Sequence, residues 1–430
     1  MTKRPAVPFA AILLGLGLAT SVGPAPASAS AAELFSPQSF TGLIDLRAAG
    51  ADGERSWLDG GFGKFRFGGD GSGSFQGDAA IADAALAWKP RLSWDLSAVV
   101  DGEVQRTDGY HADLIQAYLV YKPVPRGDTG YQVRVGLFYP PISQEHEGAT
   151  WDVADTITPS AINSWVGEEV KVAGAEATVS HRFGSHEISA TGAVFGDNDT
   201  SGTLLTFRGW GFDDVKAGAI GSLPLPPLNP AYMIGQPPET YAAREVDKRI
   251  GYYAKLDWRP PGKASFNAFY YNNNGNEVGV DKDGQWAWAT QFWNLGARLQ
   301  LDDQTHVLSQ VMTGQTLMGF PNGRSVWYNI GFTSAYLLAA HSEGRSTFTG
   351  RVDYFETSDR NFRPLTDGAE EDWSEKGWAI TGAYHFNVSS HANLYVEALH
   401  SQSDRPSRLQ SGIPRKQLQT LLQTSLRLTF

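Results

Sequence analysis

QLQTLLQTSLRLTF, residues 417–430, ends the chain and decides how the rest is read. Its alternate positions Leu418, Thr420, Leu422, Thr424, Leu426, Leu428 and Phe430 are apolar at five of seven. The intervening set, Gln417, Gln419, Leu421, Gln423, Ser425, Arg427 and Thr429, is apolar at one. Side chains of an extended strand alternate between two faces, so the segment predicts a strand with one face in an apolar medium and the other in a polar one. A half-buried edge strand of a soluble sandwich would carry the same pattern, and the rest of the chain separates the two.

The N-terminus supplies the first separation. Residues 1–31 read as a secretory signal peptide, with Lys3 and Arg4 as the basic start and Phe9 to Ala19 as the apolar core. Ala29-Ser30-Ala31 is the expected cleavage motif, and Ala27-Ser28-Ala29 is nearly as good. The apolar core falls short of the roughly 20 residues that a helical bilayer span requires. No second apolar run of helical length follows Ala31. The mature chain is therefore either soluble or crosses a membrane as a β-barrel, the alternative to helices that satisfies every backbone polar group in lipid. A terminal Phe430 in this register resembles the C-terminal signal of Gram-negative outer-membrane proteins. The resemblance implies recognition by the barrel-assembly machinery and a setting among outer-membrane lipid and lipopolysaccharide.

Composition agrees. With no cysteine among 430 residues there is no disulfide framework and no thiolate metal site. A formal charge of −11 argues against a nucleic-acid partner, which needs clustered lysines and arginines. Aromatic residues at 12% and 47 glycines suit membrane-facing β-structure.

Upstream of 417, segments of about ten residues with the same alternation recur. They fall at about 39–48, 78–88, 92–105, 114–122, 130–138, 169–183, 186–196, 251–259, 264–272, 289–301, 304–315, 326–339, 346–357, 377–387, 392–402 and 417–430. The connections alternate between short, such as Gly184-Ser185, and long, such as 139–168 and 197–250. The expected fold is all-β: a transmembrane, antiparallel, up-and-down barrel over 32–430, with about sixteen strands, short periplasmic turns and long extracellular loops. Phe62 to Gly68 also alternates, and with Thr203 to Gly209 it would raise the count to eighteen; sixteen is preferred. Trp88, Trp94, Trp258, Trp327 and Trp378 lie near strand ends, where headgroup-level rings belong. The prolines between Pro224 and Pro238 cannot donate to a ladder and predict surface covering.

With apolar positions facing lipid, the others face inward. Arg47, Arg134, Arg298, Arg351 and Arg427 become candidate pore-wall residues, alongside Asp45, Asp95, Asp101, Glu103, Lys255, Asp257 and Asp353. Such a mixture suits a hydrated lumen, because unpaired charges in a dry core cost several kcal/mol each.

Tyr139 to Gly167 is then the distinctive insertion. It carries Glu145, Glu147, Asp152 and Asp155 without one Lys or Arg, and the strand count puts it between the fifth and sixth strands. It resembles the constriction loop of sixteen-stranded trimeric porins, which joins the same two strands and folds inward to face basic wall residues. Gly136, Phe138, Pro141 and Glu145 also match, loosely, the phosphate-selective porin O/P family. The resemblance implies a homotrimer and passive diffusion of small hydrophilic solutes, with acids on the loop opposite bases on the wall. The family's phosphate selectivity uses lysines and arginines along the pore, and this loop has none, so cation preference is expected.

No pair of histidines has a spacing that would place two nitrogens on one metal. No catalytic set, metal or cofactor is expected. GGDGSGSFQGD at 68–78 lacks the Gly-Lys-Ser/Thr ending of a phosphate loop and reads as a connector. The alternative function is a barrel whose external loops act as enzyme or adhesin over a blocked lumen.

Overall fold

The computed structural model describes residues 34–430 apart from 108, 149, 228–234, 323–324, 362 and 365–369; the signal peptide expected over 1–31 lies outside the described residues. Sixteen antiparallel strands form one closed barrel. They are β1 (Phe40–Ala51), β2 (Gln76–Trp88), β3 (Leu96–Arg106), β4 (Tyr110–Tyr121), β5 (Thr129–Phe138), β6 (Val172–Phe183), β7 (His186–Gly196) and β8 (Gly251–Arg259). The second half comprises β9 (Ala264–Asn272), β10 (Ala289–Gln300), β11 (Thr305–Asn322), β12 (Ser325–Glu343), β13 (Ser346–Asp359), β14 (Glu375–Ser389), β15 (Ala392–Asp404) and β16 (Lys416–Thr429). Each expected strand is present, most within a few residues of its predicted ends.

Alternation explains both faces. Along β16, Gln417, Gln419, Leu421, Gln423, Ser425 and Arg427 are buried, while Leu418 and Leu422 stand on the outside. Leu86, Val135, Val179, Leu256, Leu295, Leu337, Val352 and Ile380 continue that exposed apolar belt around the barrel. A contiguous band of this extent marks a surface that meets lipid rather than water. No described helix is long and apolar enough to cross a membrane.

β16 pairs with β1 from Leu43↔Thr429 to Ala51↔Leu421 and closes the barrel. Phe430 extends the seam, its N–H donating to the Gly42 carbonyl at 3.2 Å and its carbonyl accepting from the Gly42 N–H at 3.0 Å. A Cβ at position 42 would collide with the Phe430 ring, so glycine makes the room for that ring on the outer face.

The eighteen-strand alternative falls, and two expectations need correction. Phe62 to Gly68 makes only isolated bridges, Ser56↔Gly63 and Phe65↔Phe212, because it lies inside the barrel. Its Phe65 and Phe67 pack in the core while Lys64 and Arg66 enter buried ion pairs. Thr203–Phe207 is a short helix, α2 as numbered below, with every residue buried. The count is therefore sixteen. Residues 197–250 do more than cover the surface, because Leu204, Leu205, Phe207, Trp210, Phe212 and Val215 are apolar and all buried. Asp95 precedes β3 in the turn, where its carboxylate accepts from Ser93 Oγ at 2.7 Å instead of lining a strand.

The barrel interior is consequently filled. One apolar cluster runs from Phe138, Ile142, Ile162 and Trp165 to Trp210, Phe212, Phe292, Phe332 and Phe355. A second joins Trp57, Phe207, Trp286, Trp288, Tyr328 and Trp373 at the end where the long connections gather.

The acidic loop against the barrel wall

The β5–β6 connection turns away from the strand direction at Tyr139-Pro140-Pro141 and carries helix α1, Ala161–Glu168; α2 is Thr203–Phe207. Ser160 caps α1, its Oγ accepting from Asn163 N at 3.3 Å. Asp353 of β13 accepts from Ala161 N at 3.2 Å, which puts a wall carboxylate at the helix N-terminus, where the dipole favours it. All eight residues of α1 are buried. Trp165 packs edge-on to Phe292, Phe332 and Trp210, joining the helix to β10, β12 and the β7–β8 connection.

Glu145 sits at the centre of the attachment. Its carboxylate accepts from Ser160 N at 3.0 Å, from Ser160 Oγ and from Asn163 Nδ2, and Arg351 Nη1 of β13 stands 3.1 Å away. Arg351 spends its other donors on Asp353 at 2.8 Å, the Thr158 carbonyl at 2.7 Å, the Pro159 carbonyl at 3.0 Å and Thr381 at 3.2 Å. Five donors in a fixed fork suit this many partners. Glu397 of β15 accepts from Ile157 N at 2.7 Å and Thr158 N at 3.1 Å. Gln310 of β11 accepts from Asn163 Nδ2 at 2.9 Å and donates to the Ile142 carbonyl at 3.0 Å.

The other three acids differ. Glu147 pairs with Arg298 of β10, and both remain solvated. Asp155 meets His306 Nε2 of β11 at 2.8 Å. Asp152 accepts from Thr150 Oγ1 at 2.9 Å and lines a cavity of about 20 Å³ with His146, Lys216 and Arg427, enough for about one water.

Among the wall arginines, Arg351 and Arg298 thus face the acids named from sequence. Arg427 donates to the Val153 carbonyl at 2.6 Å and stacks 4.5 Å over Tyr395. Arg134 instead makes a two-pronged contact with Glu176 of β6, 2.8 Å on each arm, and lies 4.1 Å from the Phe138 ring. Arg47 pairs with Asp45 on its own strand and, at 2.8 Å, with Asp214 of the β7–β8 connection. The wall expected to be wet is therefore dry at Arg47, Arg351 and Arg427, which are all buried. Pairing makes the burial tolerable.

The β7–β8 connection supplies residues that the sequence did not single out. Asp214 holds Arg47 and, at 3.1 Å, Arg66 of the β1–β2 connection. The two guanidinium groups hold its carboxyl well below the usual range against the opposing effect of burial. Arg208 meets Glu168 at the end of α1 with two bonds of 2.7 Å. Lys216 reaches Glu103 of β3 at 2.6 Å. The one available signal was the apolar content of 203–215.

His146 stacks on Trp151, ring centroids 4.9 Å apart, and shares a proton with Ser143 Oγ through Nδ1 at 2.8 Å. Burial pushes its pKa down to about 3, helped by Lys216 and Arg427 and opposed by Asp152 and Asp214. Burial likewise brings Lys171 down to about 7, its ammonium 4.7 Å from the Tyr139 ring.

Among the described residues, two carboxylate triads bring oxygens within 4.8 Å. Asp45, Asp83 and Asp214 are neutralised by Arg47, Arg66 and Arg427. Asp199, Glu245 and Asp247 turn largely toward backbone N–H groups, Asp199 accepting from Val246 and Asp247 at 2.6 and 3.0 Å. Burial together with Glu245 and Asp247 raises Asp199 to about 7.

The end carrying the short turns is more open. There Arg259, Lys263, Ser265, Arg298, Gln300 and Asp303 line a hollow of about 500 Å³.

No family model matches the sequence, and no curated protein matches it. Solved structures do. The chain is similar to an anion-selective porin from Comamonas acidovorans, with a TM-score of 0.51 and 12% identity over 91% of this chain and 98% of that one. It is equally similar to the outer membrane channel DcaP of Acinetobacter baumannii, with a TM-score of 0.51 and 11% identity over 91% of this chain and 96% of that one. At such identities the likeness shows a shared fold alone, that of the closed β-barrel.

Proposed function

We propose that the protein is an outer-membrane channel for passive diffusion of small hydrophilic solutes and ions, with a lumen narrowed by the acidic loop 139–168. The observation that supports it most is the loop's attachment: Glu145, held by Arg351, anchors a segment that meets β10, β11, β13, β15 and β16 from inside a closed barrel with an apolar exterior. Glu147 opposite Arg298 sets a transverse field beside the larger hollow, where solutes are oriented by charge. On this reading export by the 1–31 signal precedes assembly, the short turns face the periplasm, and the barrel sits in lipid and lipopolysaccharide as a homotrimer. The expected preference is for cations.

Planar-bilayer recording of the refolded protein tests this. Small stepwise openings in groups of three are expected. A barrel that folds and inserts yet stays silent across the voltage range overturns it. The second reading, a closed barrel presenting its loops to a partner, is favoured by one observation, the dry packing of the mid-lumen around Trp165 and Trp210. Silence in both the wild type and an Arg351→Ala variant would decide for it.

A further inference from the structure

The 3₁₀ segment Pro406–Ser411 between β15 and β16 brings two arginines, Arg405 at its cap and Arg408 within it, against the start of β14. Lys64 arrives from the β1–β2 connection. All three converge on Glu375: Lys64 Nζ at 2.5 Å, Arg408 Nη2 at 3.7 Å and Arg405 Nη1 at 3.8 Å. These four side chains are between 0% and 2% exposed. Three cations thus share one carboxylate in a place where water does not screen them.

The donors are not used up. Arg405 Nη1 and Arg408 Nε are buried without a hydrogen-bond partner, as are both amide atoms of Gln417. Gln417 pairs across the strands with Ser403, whose hydroxyl accepts from Arg408 Nη2 at 2.8 Å. A buried guanidinium N–H left unmade is costly, and its geometry matches the planar or tetrahedral oxygens of a small anion. Two neighbouring acids also have other partners: Asp404 pairs with Arg415 at 2.5 Å, and the Asp359 carboxylate accepts from the backbone N–H groups of Asn361 and Trp373 at 2.8 and 3.3 Å.

Gly209 borders the cluster. Its φ of 87° is the left-handed conformation that glycine tolerates, and a Cβ there would strike the Glu375 carboxylate and lie 2.7 Å from Arg405 Nη1. Glycine is therefore what lets the Glu375 carboxylate and Arg405 pack against this backbone. Burial, together with the two arginines and against the pull of Glu375, lowers Lys64 to about 7.

We propose that Lys64, Arg405 and Arg408, with Gln417 beside them, form a binding site for a small oxyanion or carboxylate solute at the loop-bearing end of the barrel. The wall shields these side chains from the bilayer, so the ligand is a free solute and not a lipid headgroup. The site is separate from the acidic loop, and binding to it does not depend on whether the barrel conducts.

The experiment is a titration of the full-length barrel, refolded in a phosphate-free detergent, with inorganic phosphate, sulfate and acetate at constant ionic strength. Chloride is the control, and the tryptophan emission to which Trp210 and Trp373 contribute is the signal. Saturable binding of at least one of the three, weakened tenfold or more in both Arg405→Gln and Arg408→Gln, is expected. Heat-modifiable migration on gels confirms that each variant is folded, and Lys64→Met serves as the third probe if either arginine variant fails to fold. Responses no different from chloride, or unchanged affinity in the folded variants, would overturn the proposal. Binding seen only when phospholipid is added would overturn the free-solute assignment.

Discussion

Glu145 and Glu147 are two residues apart on one loop, and each meets an arginine of the barrel wall. Glu145 and Arg351 are 2% and 0% exposed, whereas Glu147 and Arg298 are 43% and 38% exposed. The first pair is enclosed by the loop it holds, with every remaining Arg351 donor spent on loop backbone or wall. The second borders the larger hollow. The same two residue types are therefore an anchor in one case and a water-facing field in the other, and the difference lies in what surrounds them.

The comparison breaks most visibly at the buried pair. Arg351→Ala leaves Glu145 and Asp353 buried without their cation, and a loss of about 3–5 kcal/mol is expected, with larger conductance as the loop loosens. Urea unfolding of the refolded barrel measures it; a change indistinguishable from that of a surface substitution would remove Arg351 from its role as anchor.

Glu397→Ala comes next. It strips the acceptor from Ile157 N and Thr158 N, at about 1–3 kcal/mol. Hydrogen exchange should accelerate at those two amides before it changes in β15, and protection that persists would mean another acceptor takes over.

Acid acts at the buried His146. His146 binds its proton at about 3 in the folded state and near 6.5 when unfolded, so the unfolded chain takes up more protons between those values and stability falls as pH drops through that window. His146→Phe keeps the stack on Trp151 and should flatten this limb of a stability-against-pH curve. In the same direction, Lys64 and Lys171 titrate near 7 when folded against 10.5 unfolded, so stability also rises with pH from about 7 to 10.5.

The smallest stability effect belongs to the wet pair. Glu147→Gln should cost about 0–1 kcal/mol, yet it should move the reversal potential in a salt gradient toward anions. An unmoved potential in an open channel would place the field elsewhere.

The strands were legible because a period of two assigns every residue to one face, and lipid outside with charges inside makes the faces unlike. Glu145 and Glu147 were legible for a related reason: acids on a long insertion after β5 stand out against the strand pattern. Their partners were not, because Arg351 lies 206 residues further along the chain and register alone does not say which inward arginine the loop reaches. Arg47 and Arg134 show the ambiguity, facing inward as expected but satisfied by Asp214 and Glu176. The segments filling the lumen were legible only in part. Phe62 to Gly68 alternates because its aromatic and basic side chains enter different buried clusters, without a neighbouring strand to make it a ladder. Residues 197–250 hide a buried half behind prolines that suggested a cover.

The junction of Phe430 with Gly42 has a consequence for how the molecule is made. Because the seam joins β1 to β16, the two barrel strands furthest apart in sequence, β1 has no permanent neighbour on that side until β16 has formed. Until then β1 is an open template for mispairing. Removing Phe430 would leave the notch at Gly42 uncovered, and the first sign should be slower closure on refolding, seen before any change in the finished barrel.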